Sequence, residues 1–356
     1  METKTIKIEP LLDEVIRRNG SDIHLQVGLP PVLRIDGALK PIADTPNLTE
    51  KDVEALVYSL VDEQQKNTIV QEKELDFSFA YGDVARFRVN AFHEKGFLAA
   101  ALRLIPTKIR TLAELGLPKV LSDFTKLPRG LVLSTGPTGS GKSTTQAAMI
   151  DMINANQRQH IITIEDPIEY QHHHKSSIVV QREVHFDTDS FGAALRSALR
   201  EDPDVVLIGE MRDLETIATA ITVAETGHLV LATLHTNGAA QSIDRMIDVF
   251  PPHQQQQIRI QLSSVLQGIV SQRLIPMIGG GRIAAAEVLV VTPAVRNIVR
   301  EAKTHQLDAV IQTGAEYGMQ SMDKTLVGLI HEGKISYEEA RNYAFDAQEF
   351  ERLMRK

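Results

Sequence analysis

The most informative segment of the chain has the sequence Gly136-Pro137-Thr138-Gly139-Ser140-Gly141-Lys142-Ser143-Thr144. It fits the pattern G-x-x-x-x-G-K-[ST] and lies between an apolar run at residues 131–134 and a helical stretch at residues 144–154, the context of a phosphate-binding loop. Glycines let backbone N–H groups turn towards phosphates, and the start of the helix adds the positive end of its dipole. The stretch predicts binding of ATP and Mg²⁺, with Lys142 on the β and γ phosphates and the Ser143 hydroxyl on the metal.

Acidic residues follow two further apolar runs. Residues 205–208 lead to Glu210, and residues 161–164 lead to Glu165 and Asp166. Because open α/β sheets bind ligands at the carboxyl ends of their strands, a carboxylate there can hold Mg²⁺ through water or polarise the attacking water. We predict Glu210 and Glu165 as catalytic residues and Asp166 as a metal ligand, with a surface helix cap as the alternative for each.

Histidines stand at both ends of the apolar run at residues 229–234. His235, at the carboxyl end, is predicted to sense the γ-phosphate, whereas His228 lies on the opposite face of a regular strand. A histidine of the core or of a loop is the alternative for both. The triplet at residues 172–174 is predicted to be a solvated loop rather than a metal site, since no carboxylate pattern surrounds it.

Composition limits the class of protein. The chain has 356 residues, 43% hydrophobic and 24% charged, which is typical of a soluble protein with two domains. It contains neither an apolar run of membrane-spanning length nor a leader-like start, so we expect a cytoplasmic protein. The absence of cysteine excludes disulfides and cysteine-ligated zinc, and the net charge of −8 argues against a nucleic-acid partner.

Two domains are predicted, a small α+β domain at residues 1–110 and an α/β domain with a parallel sheet and a helical tail at residues 111–356. In the first, the alternation of Arg86-Phe87-Arg88-Val89 places both arginines on one face of a strand. Its helix end and turns are assigned to Asn19-Gly20, Asp36-Gly37 and Tyr81-Gly82-Asp83, and the break after its last strand to Pro106.

Four segments resemble the secretion ATPases and, within them, the type IV pilus retraction ATPases (PilT family). They are GPTGSGKSTT at 136–145, ITIEDPIEY at 162–170, LREDPDVVLIGEMRDLETI at 199–217 and TGHLVLATLHTN at 226–237. The resemblance implies a homohexamer with a PAS-like N-terminal domain before a RecA-like domain. It also implies that Arg88 and Arg103 hold the phosphates of ATP, with Arg110 a weaker third. Without the resemblance, strand arginines indicate only solvated or salt-bridged side chains.

Two features favour retraction over pilus assembly. The chain has neither the longer N-terminal region nor the tetracysteine zinc element of the assembly ATPases, and PAVRNIVRE at 293–301 resembles the AIRNLIRE motif of the retraction family. The resemblance implies a motor for pilus retraction and twitching motility, located in the cytoplasm at the inner-membrane base of the pilus, with a platform protein as partner. The alternatives are an accessory retraction paralogue, a non-hydrolysing regulator or a nucleic-acid translocase; for the 293–301 segment alone, a packing face of an amphipathic helix.

Overall fold

The computed structural model describes residues 6–18, 20–35, 37–82, 84–105 and 108–355. The chain divides into two compact units, one of Met1–Lys108 with Glu169–Gln171 and one of Ile109–Ile168 with His172–Lys356. Asn19, Asp36, Asp83 and Pro106, to which the sequence assigns a helix end, two turns and a break, lie outside the described residues. No helix in the described ranges is both long and apolar enough to span a bilayer.

The first unit is a six-stranded antiparallel sheet in the order β3-β2-β1-β6-β5-β4, with three helices packed on one face. Strand alternation produces this arrangement: Phe87 and Val89 are buried, whereas Arg86 and Arg88 point to the other face, as predicted. The strands are β1 Asp22–Leu25, β2 Val32–Ile35, β3 Ala38–Pro41, β4 Glu74–Tyr81, β5 Ala85–Glu94 and β6 Phe97–Ile105. The helices are α1 Glu9–Arg17, α2 Glu50–Tyr58 and α3 Glu63–Glu72.

The second unit is an α/β fold around a mixed seven-stranded sheet in the order β13-β12-β7-β11-β10-β8-β9. All neighbouring strands are parallel except the antiparallel pair β12–β13. The strands are β7 Gly130–Thr135, β8 His160–Glu165, β9 Ile178–Glu183, β10 Val205–Ile208, β11 Leu229–Leu234, β12 Leu266–Pro276 and β13 Arg282–Val290. The short apolar runs are strands buried on both faces, as predicted for a parallel sheet.

Helices cover both faces of this sheet. One face packs on α4 Val120–Phe124 and α5 Lys142–Asn156. The other packs on α6 Phe191–Ala198, α7 Leu214–Glu225, α8 Ala239–Asp248, α9 Pro252–Val265, α10 Pro293–Arg300 and α11 Leu307–Thr313. Three further helices, α12 Met322–His331, α13 Tyr337–Tyr343 and α14 Ala347–Met354, form a smaller core with β12 and β13.

The prediction of a helical tail is wrong in one respect. The chain after β11 forms α8 and α9 and then the β12–β13 pair, which extends the sheet, before helices resume at α10. Strand β9 was not predicted either. The four strands that the sequence did predict agree with β7, β8, β10 and β11 to within two residues at each end.

Candidate nucleotide site

The phosphate-binding loop connects β7 to α5 and requires glycine at defined positions. Gly136, Gly139 and Gly141 have φ angles of 139°, 76° and 93°, which favour glycine. A Cβ atom on Gly136 would lie 2.4 Å from the carbonyl oxygen of Gln272 on β12, so this position also excludes a side chain by contact. Thr138 and Gly139 are exposed at the tip of the loop, whereas Ser140 is buried beneath it.

Lys142 lies within the curve of this loop. Its ammonium donates to the carbonyl oxygens of Gly136 and Pro137 at 2.8 and 3.0 Å, and the side chain is buried. Ser143 and Thr144 follow in the first turn of α5 and are half-buried. A cation, a hydroxyl and a helix start therefore converge at the carboxyl end of β7, which suits a polyphosphate.

The two acidic segments meet at the same edge of the sheet. The Gly209 N–H donates to the Ile164 carbonyl oxygen at 2.8 Å, and a Cβ atom on Gly209 would lie 3.2 Å from the Cα of Glu165. Thr233 on β11 donates its hydroxyl to the Gly209 carbonyl oxygen. These contacts hold the carboxyl ends of β8, β10 and β11 together. Glu165 and Glu210 therefore lie at the same edge of the sheet.

Glu210 is linked to the phosphate-binding loop through His235. His235 Nε2 lies 3.2 Å from Glu210 Oε1, and its Nδ1 lies 3.5 Å from the hydroxyl of Thr138. Arg212 Nε contacts the same carboxylate oxygen at 2.6 Å. Burial acts to raise the pKa of Glu210, but the hydrogen bond from Arg212 and the charges of His235 and Arg212 outweigh it and hold the pKa below its usual value.

Glu165 and Asp166 differ in their surroundings. Glu165 Oε1 accepts from the Thr163 hydroxyl at 2.7 Å and from Gln181 Nε2 at 3.2 Å. Asp166 is exposed, and its charge, after the hydrogen bond and charge of Glu210, contributes to the raised pKa of Arg212. Asp166 therefore lies in the electrostatic neighbourhood of the site.

The donor set fits Mg²⁺ bound together with a nucleotide. Mg²⁺ in such sites keeps several waters and takes its other oxygens from phosphates and one or two protein groups. The Ser143 hydroxyl at the start of α5 and the Asp166 carboxylate after β8 are oxygen groups of the kind that such an ion prefers.

A cavity of about 360 Å³ opens beside the loop. Gly141, Thr144 and Thr145 form one wall, and Leu274 and Met277, at the end of β12, form another. Arg110 and Arg282 bring positive charge to its lining. Because β12 was not predicted, Leu274 and Met277 were missed; the run Gly279-Gly280-Gly281 between two apolar stretches was a signal for this hairpin.

Arg88 and Arg103 belong to the first unit and lie directly opposite each other on β5 and β6. Arg88 contacts Asp76 at 2.6 Å, and Arg103 contacts Asp22 at 2.9 Å. The salt-bridged alternative thus describes both side chains here, and their role towards phosphate stays a prediction.

The remaining histidines of the sequence analysis are His228 and the triplet at residues 172–174. His228, at the opposite end of β11 from His235, lies 3.0 Å from the Val223 carbonyl oxygen through Nδ1. His173 and His174 are exposed, but His172 is buried, and burial lowers its pKa to about 4. The prediction of a solvated triplet is therefore wrong for His172.

Comparisons with known proteins agree on one family. The profile of the family described as "Type II/IV secretion system protein" matches residues 2–280. The chain is 52% identical to the Pseudomonas aeruginosa "Type IV pilus retractation ATPase PilT", over 95% of this chain and 98% of that protein. It is 49% identical to a Neisseria gonorrhoeae "Twitching motility protein", over 89% and 85% of the two chains. A crystal structure of the pilus retraction motor PilT with bound ADP superposes with a TM-score of 0.92 at 51% identity, covering 98% of this chain and 99% of that one.

Proposed function

The chain belongs to the type II/IV secretion system protein family, and we propose that it is an ATP-hydrolysing motor that powers the retraction of type IV pili. The relatives that support this proposal include a pilus retraction ATPase and a twitching motility protein, both aligned over most of their length. The retraction motor of known structure has ADP bound, which supports ATP as the substrate.

Within the site, the position of His235 gives the strongest support for this proposal. His235 lies between Thr138 of the phosphate-binding loop and Glu210 at the end of β10. A group in this position can register whether a γ-phosphate is present and pass that information to the carboxylate that acts on water. This is the coupling of nucleotide state to chemistry that a motor requires.

Each residue of the site then has a role. Lys142 neutralises the β and γ phosphates, and Glu210, with Glu165 beside it, orients the attacking water. Mg²⁺, when bound, neutralises further charge on these phosphates; Ser143 would hold it, with Asp166 acting through water. Arg88 and Arg103 add positive charge to the phosphates from the first unit, as the family resemblance implies.

The cavity beside the loop suits the base and sugar of the nucleotide. Its apolar wall of Leu115, Leu274 and Met277 can pack against a purine, and it adjoins Thr144 directly after the loop. A volume of about 360 Å³ lies at the lower end of the range for small-molecule sites.

The proposed domains and oligomeric state are those that the family resemblance implies. We place a PAS-like domain at residues 1–110 and a RecA-like domain at residues 111–356, in a homohexamer. The antiparallel sheet of the first unit and the parallel strands of the second support these domain types. The motor works in the cytoplasm at the inner-membrane base of the pilus, against a platform protein, and it needs no nucleic acid.

Deletion of the gene in its source organism tests the biological role. We expect cells without the protein to keep surface pili and to lose twitching motility, because pili extend but are not withdrawn. The wild-type gene on a plasmid should restore motility, and electron microscopy of the pili provides the second measurement. Unchanged motility and pilus number would contradict the proposal.

The variant Glu210→Gln tests the chemistry, since it keeps the shape and removes the charge. The purified protein should bind ATP with nearly unchanged affinity and hydrolyse it at least ~10²-fold more slowly, the scale of lost help in activating water. Glu338→Gln, an exposed residue in the first turn of α13, is the matched control. Loss of ATP binding without a separate effect on hydrolysis would make Glu210 a structural residue.

The purified wild-type protein and the deletion strain also distinguish the retraction motor from the three alternative functions. Turnover that rises severalfold with DNA would indicate a translocase, and absent turnover in the wild-type protein would indicate a non-hydrolysing regulator. A deletion strain that still retracts its pili, but with less force, would indicate the accessory paralogue.

A further inference from the structure

We propose that Gln181 on β9 is a positioning residue for hydrolysis, holding the carboxylate of Glu165 in the orientation that acts on water. The inference rests on the proposed role of Glu165 in that reaction. Neither the motifs of the sequence nor the family resemblance pointed to Gln181, because it lies on a strand that the sequence did not reveal.

The sheet brings the two side chains together. Gln181 is directly opposite Thr163 on β8, and Glu165 is the next residue of β8 on the same face, which packs on α5. Gln181 Nε2 donates to Glu165 Oε1 at 3.2 Å, and the Thr163 hydroxyl donates to the same oxygen at 2.7 Å. Two donors on one oxygen fix both the position and the rotation of the carboxylate.

The other end of Gln181 determines which way its amide points. Its Oε1 accepts from the backbone N–H of His172 at 2.7 Å. A backbone N–H can only donate, so the amide oxygen must face His172 and the NH₂ group must face Glu165. The orientation of the amide is therefore set by the backbone contact and not by Glu165 itself.

The loop that supplies this contact is anchored to α5. Asn154 on α5 donates to the His173 carbonyl oxygen at 2.7 Å and accepts from the Lys175 N–H at 3.0 Å. His172 itself is buried. Because α5 begins at the phosphate-binding loop, one continuous set of contacts runs from α5 through the loop at residue 172 and Gln181 to Glu165.

Position matters here because hydrolysis depends on small distances. A catalytic group must be held within about 0.5 Å of its productive place, and it needs neighbours that lock its rotamer. A carboxylate that rotates freely about its last torsion angle spends much of its time turned away from the water. The hydrogen bond from Gln181 restricts this rotation of Glu165, which the backbone of β8 cannot do.

The decisive variant is Gln181→Glu. It keeps an oxygen for the His172 N–H and replaces the donor to Glu165 by a second carboxylate. The other charged groups near Glu165, namely Asp166, Glu183 on β9 and the Glu210–Arg212 pair, stay as they are. Two carboxylates in contact repel each other, so Gln181→Glu should turn the Glu165 carboxylate away from the orientation that the amide holds.

We expect two results for hydrolysis by the assembled protein. The single-turnover rate constant should fall at least ~10-fold, whereas the steady-state KM for ATP should change less than ~3-fold. Gln181→Met, which removes both hydrogen bonds, should also lower the rate at unchanged KM. Gln256→Glu on the exposed side of α9 is the control and should match the wild type.

The outcomes distinguish this inference from the proposed function. If Glu165→Gln hydrolyses ATP at the wild-type rate, the role of Glu165 is wrong. If Glu165→Gln is slow but folded Gln181→Glu keeps the wild-type rate and KM, only the positioning role is wrong. Should Gln181→Glu fail to fold, Gln181→Met decides: a wild-type rate overturns the inference, and a slow rate at unchanged KM supports it.

Discussion

The charge of Glu210 bears on how it acts. Its carboxylate oxygen Oε1 lies within hydrogen-bonding distance of both Arg212 and His235, and these contacts keep its pKa low although the residue is half-buried. A general base works best with a pKa near the working pH, so a carboxylate with a lowered pKa is a poor proton acceptor. It remains charged, however, and can orient a water dipole. We therefore infer that Glu210 orients the attacking water rather than accepting its proton, which suits a loose transition state of phosphoryl transfer.

Glu287 is the opposite case, a carboxyl group that burial tends to keep neutral. It is 5% exposed on β13, and its Oε1 accepts from the Ala239 N–H at the start of α8 at 2.9 Å. Burial is the main cause that raises its pKa to about 7; the hydrogen bond from Ala239 acts against this rise, and the charges of Asp308 and Asp323 add to it. Its ionisation in the folded protein is therefore unfavourable.

This predicts a pH-dependent difference between the wild type and Glu287→Gln. The folded-state pKa is above the unfolded value, so the wild-type free energy of unfolding is undiminished below pH ~4.5, falls between pH ~4.5 and ~7, and is level above that. Glu287→Gln removes this fall, so its stability relative to the wild type should rise with pH by at most ~3 kcal/mol in total. Thermal melts at pH 5, 6, 7 and 8 measure the difference, with the exposed Glu316→Gln as control. A constant offset at all four pH values would contradict the prediction.

At the scale of elements, two neighbouring residues in the middle of α10 have different contacts. Arg296 Nη1 donates to the carbonyl oxygens of Ser263 and Ser264 at 2.8 and 2.7 Å, and Nη2 donates to the Gln267 side chain at 3.2 Å. Ser263 and Ser264 lie in the last turn of α9, whose carbonyls have no partner within the helix. Arg296 thus caps α9 and fastens α10 to it. Asn297, by contrast, is exposed, and its side-chain amide donates to Glu301, the residue that follows the end of α10.

We therefore predict different results for single substitutions at these two positions. Arg296→Ala leaves carbonyl groups without their donor and should reduce the free energy of unfolding by ~1–3 kcal/mol, with some loss of ATPase activity. Asn297→Ala should leave melting temperature and ATPase activity unchanged. If the exposed side of α10 passes force to a partner, cells with Asn297→Ala should nevertheless keep pili that they cannot retract. Normal motility of these cells would leave α10 with a packing role alone.

The elements also show what the sequence can predict. The phosphate-binding loop, Glu210 and His235 were found because each follows a short apolar run, and parallel strands end at one edge of a sheet. Strand β12 was missed because it begins at Leu266, directly after α9 ends at Val265, with no turn residue between them. Gln181 was missed as a partner of Glu165 because cross-strand contacts depend on strand order, which no local pattern states.

At the scale of the whole molecule, the first unit carries a row of four charged residues across its sheet, in which Arg34, Asp22, Arg103 and Arg88 are successive cross-strand partners. Asp22 lies 2.9 Å from Arg103 and 3.8 Å from Arg34, so it is shared between two arginines. Arg88 and Arg103, which the family resemblance assigns to phosphate, thus each have a carboxylate partner within their own unit. A phosphate group would have to compete with that partner.

This competition separates a catalytic role from a structural one. If Arg88 stabilises charge on the phosphates, Arg88→Ala should lower the turnover number at least ~10-fold without dissociating the oligomer, as should Arg103→Ala. Asp76→Asn removes the competing carboxylate and leaves Arg88 in place, so turnover should be maintained or increased.

If the Arg88–Asp76 pair merely stabilises the sheet, both variants lose the same contact and should show the same small loss, because exposed ion pairs contribute ~0–1 kcal/mol. Arg17→Ala, which breaks an exposed pair with Glu14 on α1, controls for such loss. Steady-state ATPase assays with light scattering for oligomer mass give the answer, and equal turnover for Arg88→Ala and Asp76→Asn would remove Arg88 from the ATPase reaction.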